Sequence, residues 1–118
     1  MSNINRRMML SGLASAPFIL RSNFSRAADK PFVIGAVLPK TGLASQYGDF
    51  VSAGLTVGIS QVNAAGGILG RQVQLLVRDD ATNPGRALLA AKELVSEQRV
   101  DFLYPGVISG TTMAVLPF

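Results

Sequence analysis

Residues 32–38 read FVIGAVL, a run without one polar side chain, closed by Pro39. Unbroken apolarity of this kind suits a strand covered on both faces, as in a parallel sheet between helices, whereas a strand with one wet face alternates. The chain then changes period. Between Ala44 and Ala65 the residues Tyr47, Val51, Leu55, Ile59 and Val62 recur at steps of three and four, and Ser45, Asp49, Ser52, Thr56, Ser60 and Asn63 line another face. That spacing predicts an amphipathic helix. Gly54 and Gly58 each cost such a helix about 1 kcal/mol relative to alanine, an expense expected to be offset by close approach to the neighbouring sheet.

Val73, Leu75 and Val77 predict a second strand, and ATNPGRALLAAKELVSEQ predicts a second helix. Asn83 is its expected N-cap and Pro84 its first residue, where the missing N–H is not needed. Ala87, Leu88, Ala91, Leu94 and Val95 form its expected buried stripe. VDFLYPG, residues Val100 to Gly106, reads as a third strand, and SGTTMAVLPF opens a loop and a further helix. The order β-α-β-α-β-α predicts an α/β fold, a parallel sheet with helices on both faces and right-handed crossovers.

The segment QVNAAGGILGRQVQLLVRDD holds three glycines, Gly66, Gly67 and Gly70, and ends on Asp79 and Asp80. A phosphate-binding glycine turn follows a strand and opens a helix, so that the phosphate meets free N–H groups. Here the glycines follow a helix and precede a strand. The orphan groups at a helix C-terminus are carbonyls, which repel phosphate, and glycine there is the usual left-handed cap. The turn is therefore expected to be structural. Asp79 and Asp80 stand where an acidic residue binds a ribose in dinucleotide folds, but the turn after the first strand, LPKTGLAS, has only Gly42. A metal pair or an acid–base pair is the other chemical possibility. Bonds to backbone donors or water at the strand end are the simpler expectation.

The chain has no histidine and no cysteine. Ser-His and Cys-His nucleophiles, Cys/His zinc sites, disulfides and lipid-modified cysteines are thereby excluded. The formal charge is +4, yet residues 31–118 carry six basic and six acidic side chains, so the excess lies entirely in residues 1–30. A body without net positive charge offers no basic face to a nucleic acid. No cofactor and no metal site is expected.

The first residues have the anatomy of an export signal. Arg6 and Arg7 precede a mildly apolar run from Met8 to Leu20, and these 13 residues fall short of the roughly 20 needed to span a bilayer. Ser25 and Ala27 then offer the small-x-small pattern of a cleavage site. The adjacent arginines and weak apolar region are similar to a twin-arginine signal, although Met8 and Met9 depart from its usual continuation. Residues 1–28 are thus read as the signal and 29–118 as the folded part. A basic tail and an uncleaved anchor are the alternatives.

Taken together, FVIGAVLPKTGLASQYGDF, VNAAGGILG, the DD closing the second strand and the SG after the third resemble the leucine/isoleucine/valine-binding family. These are extracytoplasmic substrate-binding proteins of ABC transporters. The resemblance runs from Phe32 to Phe118. It implies a type I periplasmic-binding fold, in which two α/β lobes close over a small ligand, with no enzymatic activity. It also implies a periplasmic location, an amino acid or amide-like ligand, and permease and ATPase partners at the membrane. Carried over position by position, it assigns ligand contacts to Ser109, Gly110, Thr111 and Thr112 after the third strand. Tyr47, Thr41 and Gly42 fall at the first cleft loop. Tyr47 also belongs to the helix's apolar stripe, and Ser109 and Thr111 also stand where an N-cap would. Family members continue beyond this point, so residues 29–118 supply part of one lobe and are expected to capture no ligand alone. Two other functions stay open: the sensing domain of a membrane receptor with the same fold, and a Rossmann- or flavodoxin-type enzyme domain, which the missing phosphate turn disfavours.

If residues 1–28 are a signal, mass spectrometry of the exported protein finds an N-terminus close to residue 29. A periplasmic product that still begins at Met1 or Ser2 refutes that reading.

Overall fold

The computed structural model describes residues 30–118. The expected export signal, residues 1–28, lies outside the described residues. The elements run β1 (Phe32–Leu38), α1 (Ser45–Ala64), β2 (Val73–Asp79), α2 (Pro84–Lys92), a π-helical turn (Glu93–Glu97), β3 (Phe102–Tyr104) and α3 (Ser109–Val115). The three strands form one parallel sheet in the order β2-β1-β3. Phe32 stands opposite Val73 in one ladder and Ile34 opposite Phe102 in the other. β1 is thus paired on both edges, and Ala36, Val37 and Leu38 are fully buried. That is the environment the run FVIGAVL calls for.

The two faces of the sheet are packed unequally. Val37 meets Ala87, Ala90, Ala91 and Leu94 from the second helical segment and Val115 from α3, with Leu76, Val100 and Leu103 against them. Alanines on α2 let its axis lie close to the sheet. Gly35 points the same way: a Cβ there would lie 2.9 Å from Val100 Cγ1 and 3.3 Å from Leu94 Cδ1. The cap of α2 is as expected, Asn83 Oδ1 accepting from Arg86 N at 3.0 Å with Pro84 in the first turn. The buried stripe differs in part. Ala87, Ala91 and Leu94 are buried and Ala90 joins them, while Leu88 is half-buried and Val95 is exposed. Val95 lies within the π-helical turn, which is wider than an α turn, and so falls out of the 3.6-residue phase that Leu94 still keeps.

On the opposite face α1 lies loosely over Ile34 and Val73. Val51, Leu55 and Ile59 are half-buried, but Val62 is exposed and Tyr47 is 60% exposed. Tyr47 is therefore no part of a core among the described residues. Nor do Gly54 and Gly58 approach the sheet closely; a Cβ on either would meet nothing within 4 Å. An open apolar groove of about 260 Å³, lined by Leu55, Ile59, Val62, Ile34, Ile68 and Val73 among others, runs between α1 and the strands. The tight contact of α1 is at Gly48 instead, where a Cβ would overlap the carbonyl of Pro39.

The glycine turn is structural, as expected. Gly66 N–H donates to Asn63 O at 3.1 Å and Gly67 N–H to Val62 O at 2.8 Å, closing α1. Gly67 has φ +80, and a Cβ there would overlap the carbonyl of Arg71. Asn63 then stitches the helix end to β2, its side chain accepting from Val73 N at 2.7 Å and donating to Val73 O at 2.9 Å. At the amino-terminal edge of the sheet Arg71 donates to the carbonyls of Lys30 and Pro31, both at 2.7 Å, and forms a forked pair with Asp101 at 2.9–3.1 Å. Asp101 in turn accepts from Val33 N at 2.8 Å. The guanidinium carbon lies 5.2 Å from the centroid of the Phe32 ring, a cation–π distance.

Substituting the glycines of α1 separates these packings. Gly48→Ala forces the first turn of α1 off β1 and is expected to cost at least about 2 kcal/mol, as overpacking does. Gly54→Ala adds helix propensity in open space and is expected to gain up to about 1 kcal/mol. Chemical denaturation of the full chain checks both signs.

Candidate functional site

The strand order places a switch point beside β1. The chain leaves β1 through α1 to reach β2 on one side, then returns through α2 to β3 on the other. The loops after β1 and β3 therefore part company at the carboxyl ends of adjacent strands. A crevice at that position is where ligands sit in open α/β sheets. The loop after β3 packs on the end of β1, since a Cβ on Gly106 would lie 3.6 Å from Val37 O and 3.1 Å from Thr112 Oγ1.

Asp79, the last residue of β2, organises one side of this edge. Its Oδ1 accepts from Lys40 N at 2.9 Å, Thr41 N at 3.1 Å and Ala81 N at 2.8 Å. Its Oδ2 accepts from the Thr41 hydroxyl at 2.6 Å, with Arg86 Nη2 at 3.7 Å. Asp80 is fully buried, and its Oδ1 accepts from Thr82 N at 2.7 Å while Oδ2 has no partner. Ala81 and Thr82 have φ of +47° and +58°, a left-handed conformation that costs non-glycine residues of order 1–3 kcal/mol each. Each is held there by the aspartate two residues before it. Thr82 Oγ1 then accepts from Ala44 N at 3.2 Å, so the bonding continues to the start of α1. The expectation that the two aspartates bond backbone donors holds for both. Among the described residues no cluster of three or more His, Cys, Asp or Glu is placed to hold a metal.

The residues assigned from the resemblance fall into two groups around the crevice. Thr41 has both its N–H and its hydroxyl engaged by Asp79. Gly42, φ +84, sits where a Cβ would lie 2.8 Å from Ala81 O, and Tyr47 follows in the first turn of α1 with its ring exposed. Across the switch point, Ser109 and Gly110 open α3 and are exposed. The helix has Ile108 at its N-cap position and no side-chain cap, so Ser109 is not the cap. Thr111 is 1% exposed and its hydroxyl donates to Ile108 O at 2.9 Å, which turns it away from solvent; Thr112 is half-buried. The part played by Thr82 has no local signature, because its partner is 38 residues away. Lys40 pairs with Asp49 of α1 at the outer rim.

Burial opposes ionisation of Asp79, but the Thr41 hydroxyl and the N–H groups of Ala81, Thr41 and Lys40 outweigh it and bring its carboxyl from 3.8 down to about 2. A carboxyl depressed on folding contributes stability above its unfolded value and loses it as pH falls toward the folded one. The stabilisation from Asp79 is thus complete above about 3.8 and fades as pH falls toward about 2. Thermal unfolding of the chain and of Asp79→Asn across this window is expected to show the advantage of the aspartate shrinking with acid. A difference independent of pH contradicts it.

Residues 31–118 match the family described as periplasmic binding protein. The chain is 35% identical over 112 residues to the leucine-, isoleucine-, valine-, threonine-, and alanine-binding protein of Pseudomonas aeruginosa, an alignment covering 95% of this chain and 27% of that one. With the Leu/Ile/Val-binding protein of Escherichia coli K12 it shares 34% over 96 residues, 80% of this chain and 24% of the other. Among solved structures, the branched-chain amino acid transporter substrate binding protein of Streptococcus pneumoniae, in complex with isoleucine, superposes with a TM-score of 0.71 at 27% identity, covering 75% of this chain and 25% of that one. A solute binding protein from R. palustris in complex with benzoate gives 0.65 at 25% identity, covering 75% and 24%. The chain spans about a quarter of the length of these relatives. Its parallel sheet, its covered β1 and the match across residues 31–118 together make it a member of the periplasmic binding protein family.

Proposed function

We propose that this chain forms the opening segment of the first lobe of an extracytoplasmic solute-binding protein serving an ABC importer. Its ligand is a branched-chain amino acid or a similar small polar solute. The observation that carries this reading is the switch-point edge, where loops from adjacent parallel strands diverge in a fold shared with a protein solved around isoleucine. The relatives are binding proteins, which supports capture of a ligand rather than its conversion. The edge offers hydroxyls, main-chain donors and an aromatic ring.

In this reading Ser109 and Gly110 receive the polar head of the ligand. The first N–H groups of a helix lack partners within it and suit a carboxylate, which the Ser109 hydroxyl joins. Thr112 adds a half-buried hydroxyl, and Thr111 holds the turn from beneath. Gly42 and the exposed ring of Tyr47 border the other side, with Thr41 fixed between them and Asp79. Capture occurs when a second lobe closes over this edge, and the closed protein then docks on a permease driven by an ATPase. Export by a twin-arginine signal in residues 1–28 delivers it to the periplasm. Among the described residues no helix is long and apolar enough to cross a membrane.

The test uses the full-length product of the gene that encodes this chain. Its unfolding is followed with L-leucine, L-isoleucine, L-valine, benzoate and short amides. A ligand present at a hundred times its Kd stabilises by about 2.7 kcal/mol, so one of the branched-chain acids is expected to raise Tm by several degrees. Ser109→Ala is expected to weaken that ligand about tenfold, or about 1.4 kcal/mol, with little change in Tm of the free protein. Indifference to the whole panel overturns the reading.

A further inference from the structure

We infer that Asp79 is a positioning residue for ligand binding: it fixes the loop after β1, residues 40–42, against the turn after β2 without touching the ligand. The inference rests on the ligand-binding reading above and gives a role to a residue that reading leaves out of contact with the ligand. Both carboxylate oxygens are already committed. Oδ1 serves three backbone N–H groups and Oδ2 serves the Thr41 hydroxyl, with Arg86 beyond it. A carboxylate so occupied has little capacity left for a ligand. What it does have is reach, since its donors lie in two segments, residues 40–41 after β1 and residue 81 after β2.

Besides Asp79, the loop after β1 and the turn after β2 are joined by Asp80 N–H donating to Leu38 O at 3.1 Å and by the Ala44–Thr82 bond, neither of which reaches residues 40–42. Lys40 to Gly42 leave β1 without secondary structure, and Gly42 sits in the left-handed region. Ala81 and Thr82 are held in the same region by the aspartate side chains, so their conformation depends on those bonds. Thr82 passes the constraint to Ala44, the residue before α1. Removing the Asp79 carboxylate therefore frees the loop that carries Thr41 and Gly42, and with it the turn that presents Tyr47. Loss of pre-organisation costs affinity without any lost ligand contact.

The experiment again uses the full-length gene product, with Asp79→Ala, Asp79→Asn and a core control, Val100→Ala, on the far face of the sheet. Amide hydrogen exchange reads the loops, and calorimetric titration with L-leucine reads the site. In Asp79→Ala the amides of Lys40, Thr41 and Ala81 are expected to lose about tenfold or more in protection while the β1–β2 ladder keeps its own, and leucine affinity is expected to fall by about tenfold, the scale of a lost charge-assisted bond. Asp79→Asn retains a carbonyl oxygen for the three N–H groups and is expected to restore most of both. Val100→Ala is expected to lower stability and leave affinity intact. Unchanged exchange at the three amides in Asp79→Ala overturns the inference, as does an equal loss of affinity in Val100→Ala. Should the unaltered protein ignore leucine, the ligand assignment fails, and the exchange at the three amides still decides whether Asp79 holds the loops.

Discussion

Everything in this structure depends on β1 being paired along both edges while it is also covered on its α2 side. A strand so placed has no room for a polar side chain, and its seven residues comply. Its neighbours must run parallel to it because each is reached through a helix, and each crossover must climb back to the same end of the sheet. Since β2 and β3 take opposite sides, the carboxyl end of β1 becomes the one place where two following loops turn away from each other. The crevice is therefore a product of strand order, and no residue in it had to be chosen to create it.

The elements were legible in the sequence because their signals are local. FVIGAVL maps onto β1 residue for residue, and Asn83-Pro84 marks the start of α2 through one side-chain bond and one missing donor. Where the reading failed, the deciding contacts were distant. The periodicity of α1 places Tyr47 on the apolar stripe, yet nothing in that period says how much of the stripe a three-stranded sheet can cover. Gly54 and Gly58 were read as marks of close packing, and the helix meets the strands closely at Gly48 instead. The phase of Val95 was lost to a π-helical turn that no pattern of apolar residues announces.

The site was legible more coarsely than the fold. The glycine turn was excluded as a phosphate site by its position after a helix, and the structure shows the N–H groups of Gly66 and Gly67 spent on α1 and those of Ile68 and Arg71 on each other's carbonyls. Ser109 to Thr112 fall at a helix start beside the switch point, but the burial of Thr111 separates it from its neighbours only once the backbone is known. The bonds of Asp79 cross 38 and 39 residues of sequence. They were foreseen as bonds to backbone, not as bonds to a particular loop, because sequence proximity says nothing about which loop arrives there.

Arg71 has a consequence at the other end of the molecule. It grips the carbonyls of Lys30 and Pro31 and is itself locked by Asp101, so the entry of the chain into β1 is anchored by contacts among the described residues. Seven residues of parallel strand, roughly 23 Å, then separate that anchor from the crevice. A disturbance at residues 30–31 thus meets the Arg71–Asp101 pair a full strand length away from the switch-point edge.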